Sequence, residues 1–263
     1  MNIKRTYKLH ILVLLAIVGL QSCKEKKENT PQQEVAAATT EQGGFVQIFD
    51  GKTLDNWEGD LNYWKVENGN LVGEVTPTTL LKNNTFIIWK GGQPADFELK
   101  LEFRIAEAGN SGINYRSEKI DTIPYALRGY QADIDGKIRY TGQNYEEKKR
   151  ATLAYRGEKA RITTQENPDV PGSLRANVAK NAWQSREVLE SLGDSDELKT
   201  KDWNEAHLII KGNQLQHYIN DILMSEVIDD DNVNRASSGY LGVQVHVGPP
   251  MKVEYRNIRL KNL

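Results

Sequence analysis

Four short stretches of this chain set acids, amides, arginines and a histidine at alternate positions between apolar residues. In Phe97-Glu98-Leu99-Lys100-Leu101-Glu102-Phe103-Arg104 every odd position is apolar and every even one is charged. Ile113-Asn114-Tyr115-Arg116 puts Asn114 and Arg116 on one side. Tyr130-Gln131-Ala132-Asp133-Ile134-Asp135 sets Gln131, Asp133 and Asp135 opposite three apolar residues, and Val243-Gln244-Val245-His246-Val247 sets Gln244 and His246 between valines. A period of two is that of a β-strand with one face in a core and one face wet. If these strands share a sheet, its polar face is a dense hydrogen-bonding floor. Sugars, with many hydroxyls, need acids, amides and arginines of this kind. The competing reading is an exposed face with unrelated polar residues and, for His246, a satisfied structural histidine.

Asp133, His246 and Glu102 are also of the hard and borderline type that holds a divalent metal ion. The triplet Asp229-Asp230-Asp231 reads first as a solvated loop and second as a calcium site. No glycine loop for phosphate, no CxxC and no HExxH spacing is present, so the sequence requires no cofactor. Trp57, Trp64, Trp89, Trp183 and Trp203 are candidates for stacking on sugar rings. Trp64, just before a hairpin turn, and Trp203, at the start of a strand, read more readily as core or sheet-edge residues.

The elements that must position these groups are strands throughout. Alternation recurs in 206–211, 215–219, 241–247 and 253–260, the last needing a small register change between Tyr255 and Ile258. Turn signals such as Glu67-Asn68-Gly69-Asn70, Gly109-Asn110 and Lys211-Gly212-Asn213 separate them. Many short strands joined by glycine and asparagine turns predict an all-β, two-sheet sandwich. One stretch departs from the pattern. Asn167–Lys201 reads as a long excursion with a short helix around Ser185–Leu192, serving either function or the protection of a sheet edge.

The start of the 263-residue chain reads differently. Lys4, Arg5 and Lys8 precede an apolar run, Leu9–Leu20, too short to span a bilayer comfortably, which marks residues 1–22 as an export signal. Leu20-Gln21-Ser22-Cys23 is similar to a bacterial lipobox, in which the single cysteine of the chain would carry lipid. Residues 23–44 are polar and lack aromatics, which predicts a flexible tether to a domain over 45–263. A lipidated lone cysteine leaves no disulfide, so the fold must rest on its apolar core. The net charge is −2 with no basic block after the signal, which argues against nucleic acid as a partner. The expected partners are a carbohydrate substrate and, through Cys23, a membrane of the cell envelope, on its periplasmic or outer side.

The order of motifs resembles a known family. Phe49-Asp50-Gly51-Lys52-Thr53-Leu54-Asp55-Asn56-Trp57 is similar to the opening F-N-G-K-D-L-x-x-W of the 3-keto-disaccharide hydrolase domains. The resemblance continues through WKVENGNL, DFELKLEFR, NSGINYR, GYQADI and DWNEAHLIIKGNQLQHYIND to GYLGVQVHVGPPMKVEYRNIRLKNL. It implies a concanavalin A-like jelly roll of the lectin and glucanase type, acting on glycosides oxidised at C3 of one sugar. A C3 ketone acidifies the C2 proton. A base removes that proton, an enolate forms, the C1 leaving group departs, and water then adds. Such a site needs a base, an electrophile for the enolate oxygen and an acid for the leaving oxygen. On this reading Glu102 or His246 is the base, Asp133 the acid and Arg104 or Arg116 the enolate stabiliser, while Asn114, Gln131, Asp135 and Gln244 hold substrate hydroxyls. The family often carries Glu where this chain has Gln131. The 131–135 strand also resembles a damaged E-x-D-x-E strand of retaining glucanases. Gln131 cannot be a nucleophile, so double-displacement hydrolysis is disfavoured. The alternative from another class is a lectin-like envelope lipoprotein that binds glycans without turning them over.

Overall fold

The computed structural model describes residues 43–165, 173–177, 182–192 and 202–263. The signal segment, Cys23 and the tether lie outside them, as does the side chain of Trp183. The described residues fall within one compact unit, Ala38–Leu263.

Among them there are eighteen strands. In chain order they begin β1 (Val46–Gln47), β2 (Trp57–Glu58), β3 (Trp64–Glu67), β4 (Asn70–Val75), β5 (Thr85–Trp89) and β6 (Phe97–Ile105). The middle of the chain gives β7 (Asn110–Lys119), β8 (Leu127–Asp135), β9 (Asn144–Glu147), β10 (Ala151–Ala154), β11 (Glu158–Gln165) and β12 (Ser173–Asn177). The last are β13 (Ala182–Ser191), β14 (Asn204–Lys211), β15 (Gln214–Ile219), β16 (Ile222–Asp230), β17 (Tyr240–Val245) and β18 (Met251–Asn262). They form two sheets. One runs β12-β13-β11-β16-β15-β14-β6-β18-β4-β3, with β1 also on β18; the other runs β10-β9-β8-β7-β17-β5-β2. The fold is the expected two-sheet jelly-roll sandwich.

The core lies between the sheets. On β6 burial alternates strictly, Phe97, Leu99, Leu101, Phe103 and Ile105 inward. They meet Ile113, Tyr115, Tyr130, Ala132 and Ile134 from β7 and β8 in one apolar cluster. Each such leucine, isoleucine or phenylalanine side chain, fully buried, contributes roughly 1.5–3 kcal/mol. Trp57 and Trp64 belong to this cluster, and Trp89 packs against it. The register change foreseen in β18 is a bulge between Arg256 and Arg259, with Asn257 at φ 51°.

Two expectations are corrected. Residues 182–191 form strand β13 and not a helix; β13 pairs along β11 from Glu158↔Ser191 to Gln165↔Trp183. The edge of β11 offers unpaired backbone donors and acceptors, and satisfying them outweighs a weak helical preference. The aspartate triplet is not a solvated loop. Asp229 and Asp231 are fully buried and bind Arg150, itself buried, with Nη2 to Asp229 Oδ2 at 2.6 Å and Nη1 to Asp231 Oδ2 at 3.3 Å. Arg150 also pairs with Glu146, and Tyr130 donates to Asp229 at 2.5 Å. This polar cluster ties β8 and β9 to β16 across the sandwich, and it holds the β9–β10 hairpin in place.

Candidate functional site

Because β8 alternates, Tyr130, Ala132 and Ile134 enter the core while Gln131 and Asp133 face away from it. Tyr145 pairs with Gln131, Gly112 with Asp133, and Glu147 with Gly129, so Tyr145 and Glu147 share that outer face. The chain leaves β17 at Val245, which turns His246 to the same side. These groups line a cavity of about 260 Å³ on the outer face of the smaller sheet, with Gln143, Asn110 and Thr152 completing its walls.

Asp133 sits at its base. Gln131 Nε2 donates to Oδ1 at 2.5 Å and Gln143 Nε2 donates to Oδ2. Gln131 Oε1 accepts from Gln244 Nε2 at 3.2 Å, which fixes its amide with the nitrogen toward Asp133. Burial pushes the Asp133 carboxyl up from 3.8 to about 7, against the pull of the two amides and with further push from Glu147 and Asp135. Gly112 makes this arrangement fit: a Cβ there would run into the Gln131 side chain. Burial also raises Glu147, against the pull of Asn84, Lys148 and His246. The Tyr145 phenol is raised by burial and by Glu147 and Asp133. Asn84 joins the two rims, donating Nδ2 to Glu147 Oε1 at 3.1 Å and accepting the Val247 N–H at 2.9 Å. His246 Nδ1 donates to the Val247 carbonyl at 2.6 Å, which leaves Nε2 as the ring nitrogen not engaged in that bond.

The common floor expected from the sequence does not form as drawn. Asp133, Gln131 and His246 come together. Glu102 and Arg104 do not, because β6 belongs to the other sheet and their side chains point out from its far face. There Arg256 Nε and Asn257 Nδ2 donate to Glu102 at 2.7 and 2.5 Å. Burial opposes its charge, but these two bonds outweigh it and hold its carboxyl low, which is wrong for a base. Arg104 Nε donates to Glu254 at 2.5 Å, and the Arg104 and Arg256 guanidiniums lie over the Trp203 ring.

Arg116 is removed from the site by a bulge. It has φ 44°, and the β7–β8 register shifts between Tyr115 and Glu118. Its buried guanidinium donates to the carbonyls of Ala95, Gly212 and Ala236 and to Asp96. Asp135 is spent on its own loop. Its carboxylate accepts the backbone N–H groups of Arg139, Tyr140 and Thr141, so it holds no substrate hydroxyl. Asn114 and Gln244 are fully buried beside Gln131 and do not line the cavity; Gln244 acts through Gln131. Glu102 cannot join Asp133 and His246 around one metal. Among the described residues no group of three or more His, Cys, Asp and Glu side chains is placed to hold one.

Residues 44–261 match the family described as the 3-keto-alpha-glucoside-1,2-lyase-like domain. The chain belongs to that family. This places it among carbohydrate-active proteins. A search of the curated proteins found no match. Two solved structures from Parabacteroides distasonis ATCC 8503, each described as a candidate glycosyl hydrolase, share the fold of this lyase-like domain. One is 16% identical and aligns over 83% of this chain and 94% of its own with a TM-score of 0.50. The other is 17% identical over 83% and 99%, with a TM-score of 0.51.

Sequence reasoning did not reach Glu147, Tyr145 or Gln143. The signal was there. Gly136 and Gly142 mark a turn after the Asp133 strand, and alternation resumed beyond it sets Tyr145 and Glu147 on one side.

Proposed function

We propose that the protein cleaves glycosides bearing a ketone at C3 of one sugar, by elimination across C1 and C2. Asp133 takes the proton from C2. The C2–H electron pair forms the enolate, whose oxygen accepts a hydrogen bond from the Tyr145 phenol. The enolate collapses to a C1=C2 double bond and restores the C3 ketone as the C1–O bond breaks. Glu147, whose burial favours its protonated form, gives its proton to the departing oxygen. Water added across the double bond, oxygen to C1 and hydrogen to C2, yields the free 3-keto sugar. In this scheme Gln131 and Gln143 hold the Asp133 carboxylate, and His246 hydrogen-bonds a substrate hydroxyl at the mouth.

The observation that carries this reading is Asp133 itself: a buried carboxyl, clamped by two amides at the base of a cavity, with a proton affinity near neutrality. A carboxyl pushed up to about 7 is matched to proton transfer near neutral pH. The family membership favours the 3-keto substrate. We further propose that Cys23 is lipidated and tethers the domain to the cell envelope.

The test is incubation of the protein with a 3-keto-disaccharide and with its unoxidised parent. Release of sugar from the first alone supports the proposal. Binding of both with release from neither identifies a lectin and overturns it.

A further inference from the structure

The cavity is too small for a disaccharide. At about 260 Å³ it lies just under the ~300–1,000 Å³ of pockets that enclose drug-sized ligands. One pyranose ring fills it, so the sugar or other group on the far side of the glycosidic oxygen must lie at the rim.

The rim carries an aromatic residue. Tyr140 lines the cavity and is 44% exposed. Its ring has no aromatic or cationic partner among the described residues, unlike exposed Tyr155, which lies under the Arg186 guanidinium at 5.2 Å. Its backbone is rigidly held. Tyr140 N donates to Asp135 Oδ1 at 2.8 Å, and its carbonyl accepts the Gln143 N–H at 2.8 Å. Two residues earlier, Ile138 packs against the core, and its carbonyl accepts from Arg156 Nη1. Most of the loop's capping comes from one buried side chain, Asp135, which spends both carboxylate oxygens on three backbone N–H groups. An exposed ring on a backbone fixed in this way is pre-organised to bind, because little freedom remains to be lost. The same loop leads directly into Gln143, which holds Asp133, so the rim and the base of the cavity are one piece.

We infer that Tyr140 is a stacking platform for the leaving group, and that it makes the protein selective for glycosides whose leaving group is itself a ring. This rests on the cleavage proposed above. A ring laid on Tyr140 gains a stacking contact at the rim of the cavity, and a methyl leaving group gains nothing there.

The test uses the whole protein, Tyr140→Ala and Tyr140→Phe, with a 3-keto-disaccharide and a methyl 3-keto-glucoside. In Tyr140→Ala the ratio of kcat/KM for the disaccharide to that for the methyl glycoside is expected to fall about fivefold to tenfold, the size of one aromatic contact. Tyr140→Phe is expected to keep the ratio. An unchanged ratio in Tyr140→Ala, or a loss shared equally by both substrates, overturns the stacking role. If the wild type cleaves neither substrate, the failure belongs to the proposed chemistry. Stacking is then read by calorimetric binding of the disaccharide, where equal affinity of wild type and Tyr140→Ala refutes it.

Discussion

Replacing Asp133 by Asn is expected to slow turnover severely and to make the protein relatively more resistant to denaturant as pH rises. The Asp133 carboxyl is moved from 3.8 to about 7, chiefly by burial. Protonation therefore favours the native state. That contribution is complete below 3.8 and is lost as pH rises through about 7. At 1.36 kcal/mol per tenfold change, holding Asp133 in the fold costs roughly 4 kcal/mol at pH 8 and under ~2 kcal/mol at pH 5. Asn carries no charge at either pH. Its amide does turn a donor toward Gln131 or Gln143, a cost of about 1–3 kcal/mol that does not depend on pH. The pH-dependent part is thus the informative one. Measured by urea unfolding, the stability of Asp133→Asn relative to wild type is expected to rise by about 2–3 kcal/mol from pH 5 to pH 8. Turnover is expected to fall about 100-fold to 10,000-fold, the usual worth of a general base. Stability differences that stay constant across that range would refute the claim that Asp133 is buried with a raised proton affinity.

Gly112→Ala pushes the Gln131 amide off Asp133, so kcat is expected to drop about tenfold or more while circular dichroism still reports a folded sandwich. Glu147→Gln removes the proton for the leaving oxygen. Its loss of kcat, about 100-fold for a sugar leaving group, is expected to shrink for a nitrophenyl leaving group that departs without one. Glu102→Ala and Arg104→Ala break half-exposed ion pairs on the far sheet, so both variants are expected to keep wild-type kcat/KM and to lose about 1 kcal/mol or less in urea unfolding. Arg116→Ala leaves three carbonyls and Asp96 without their buried partner; chemical denaturation is expected to show a loss of about 3–5 kcal/mol, with KM of the folded fraction unchanged.

Alternation made the strands legible, down to the bulge in β18, because each inward side chain had to be apolar and each outward one did not. It also told which residues share a face of one strand. It could not tell which sheet a strand joins. Glu102 and Asp133 both face away from the core, yet on opposite outer surfaces of the sandwich, because β6 pairs with β14 and β18 while β8 pairs with β7 and β9. Arg116 escaped the parity rule through one residue with positive φ, a local backbone event that a hydrophobic pattern does not record. The aspartate triplet read as solvated because its cation, Arg150, stands far away in the chain and only folding brings it close. Strand β13 was missed for another reason: its partners, β11 and β12, lie close by in the chain, but which edge it joins is not written in its own residues. Asp133, Gln131 and His246 were found because each lies on a regular strand or directly follows one, where spacing alone fixes direction.

The proposed chemistry begins when Asp133 removes the C2 proton of a 3-keto glycoside. A substrate carrying deuterium at C2 tests it directly. Cleavage is expected to be slower than with the unlabelled substrate, with loss of the label from the released 3-keto sugar to water beyond a control without protein. Cleavage at an undiminished rate with the deuterium still at C2 would contradict it.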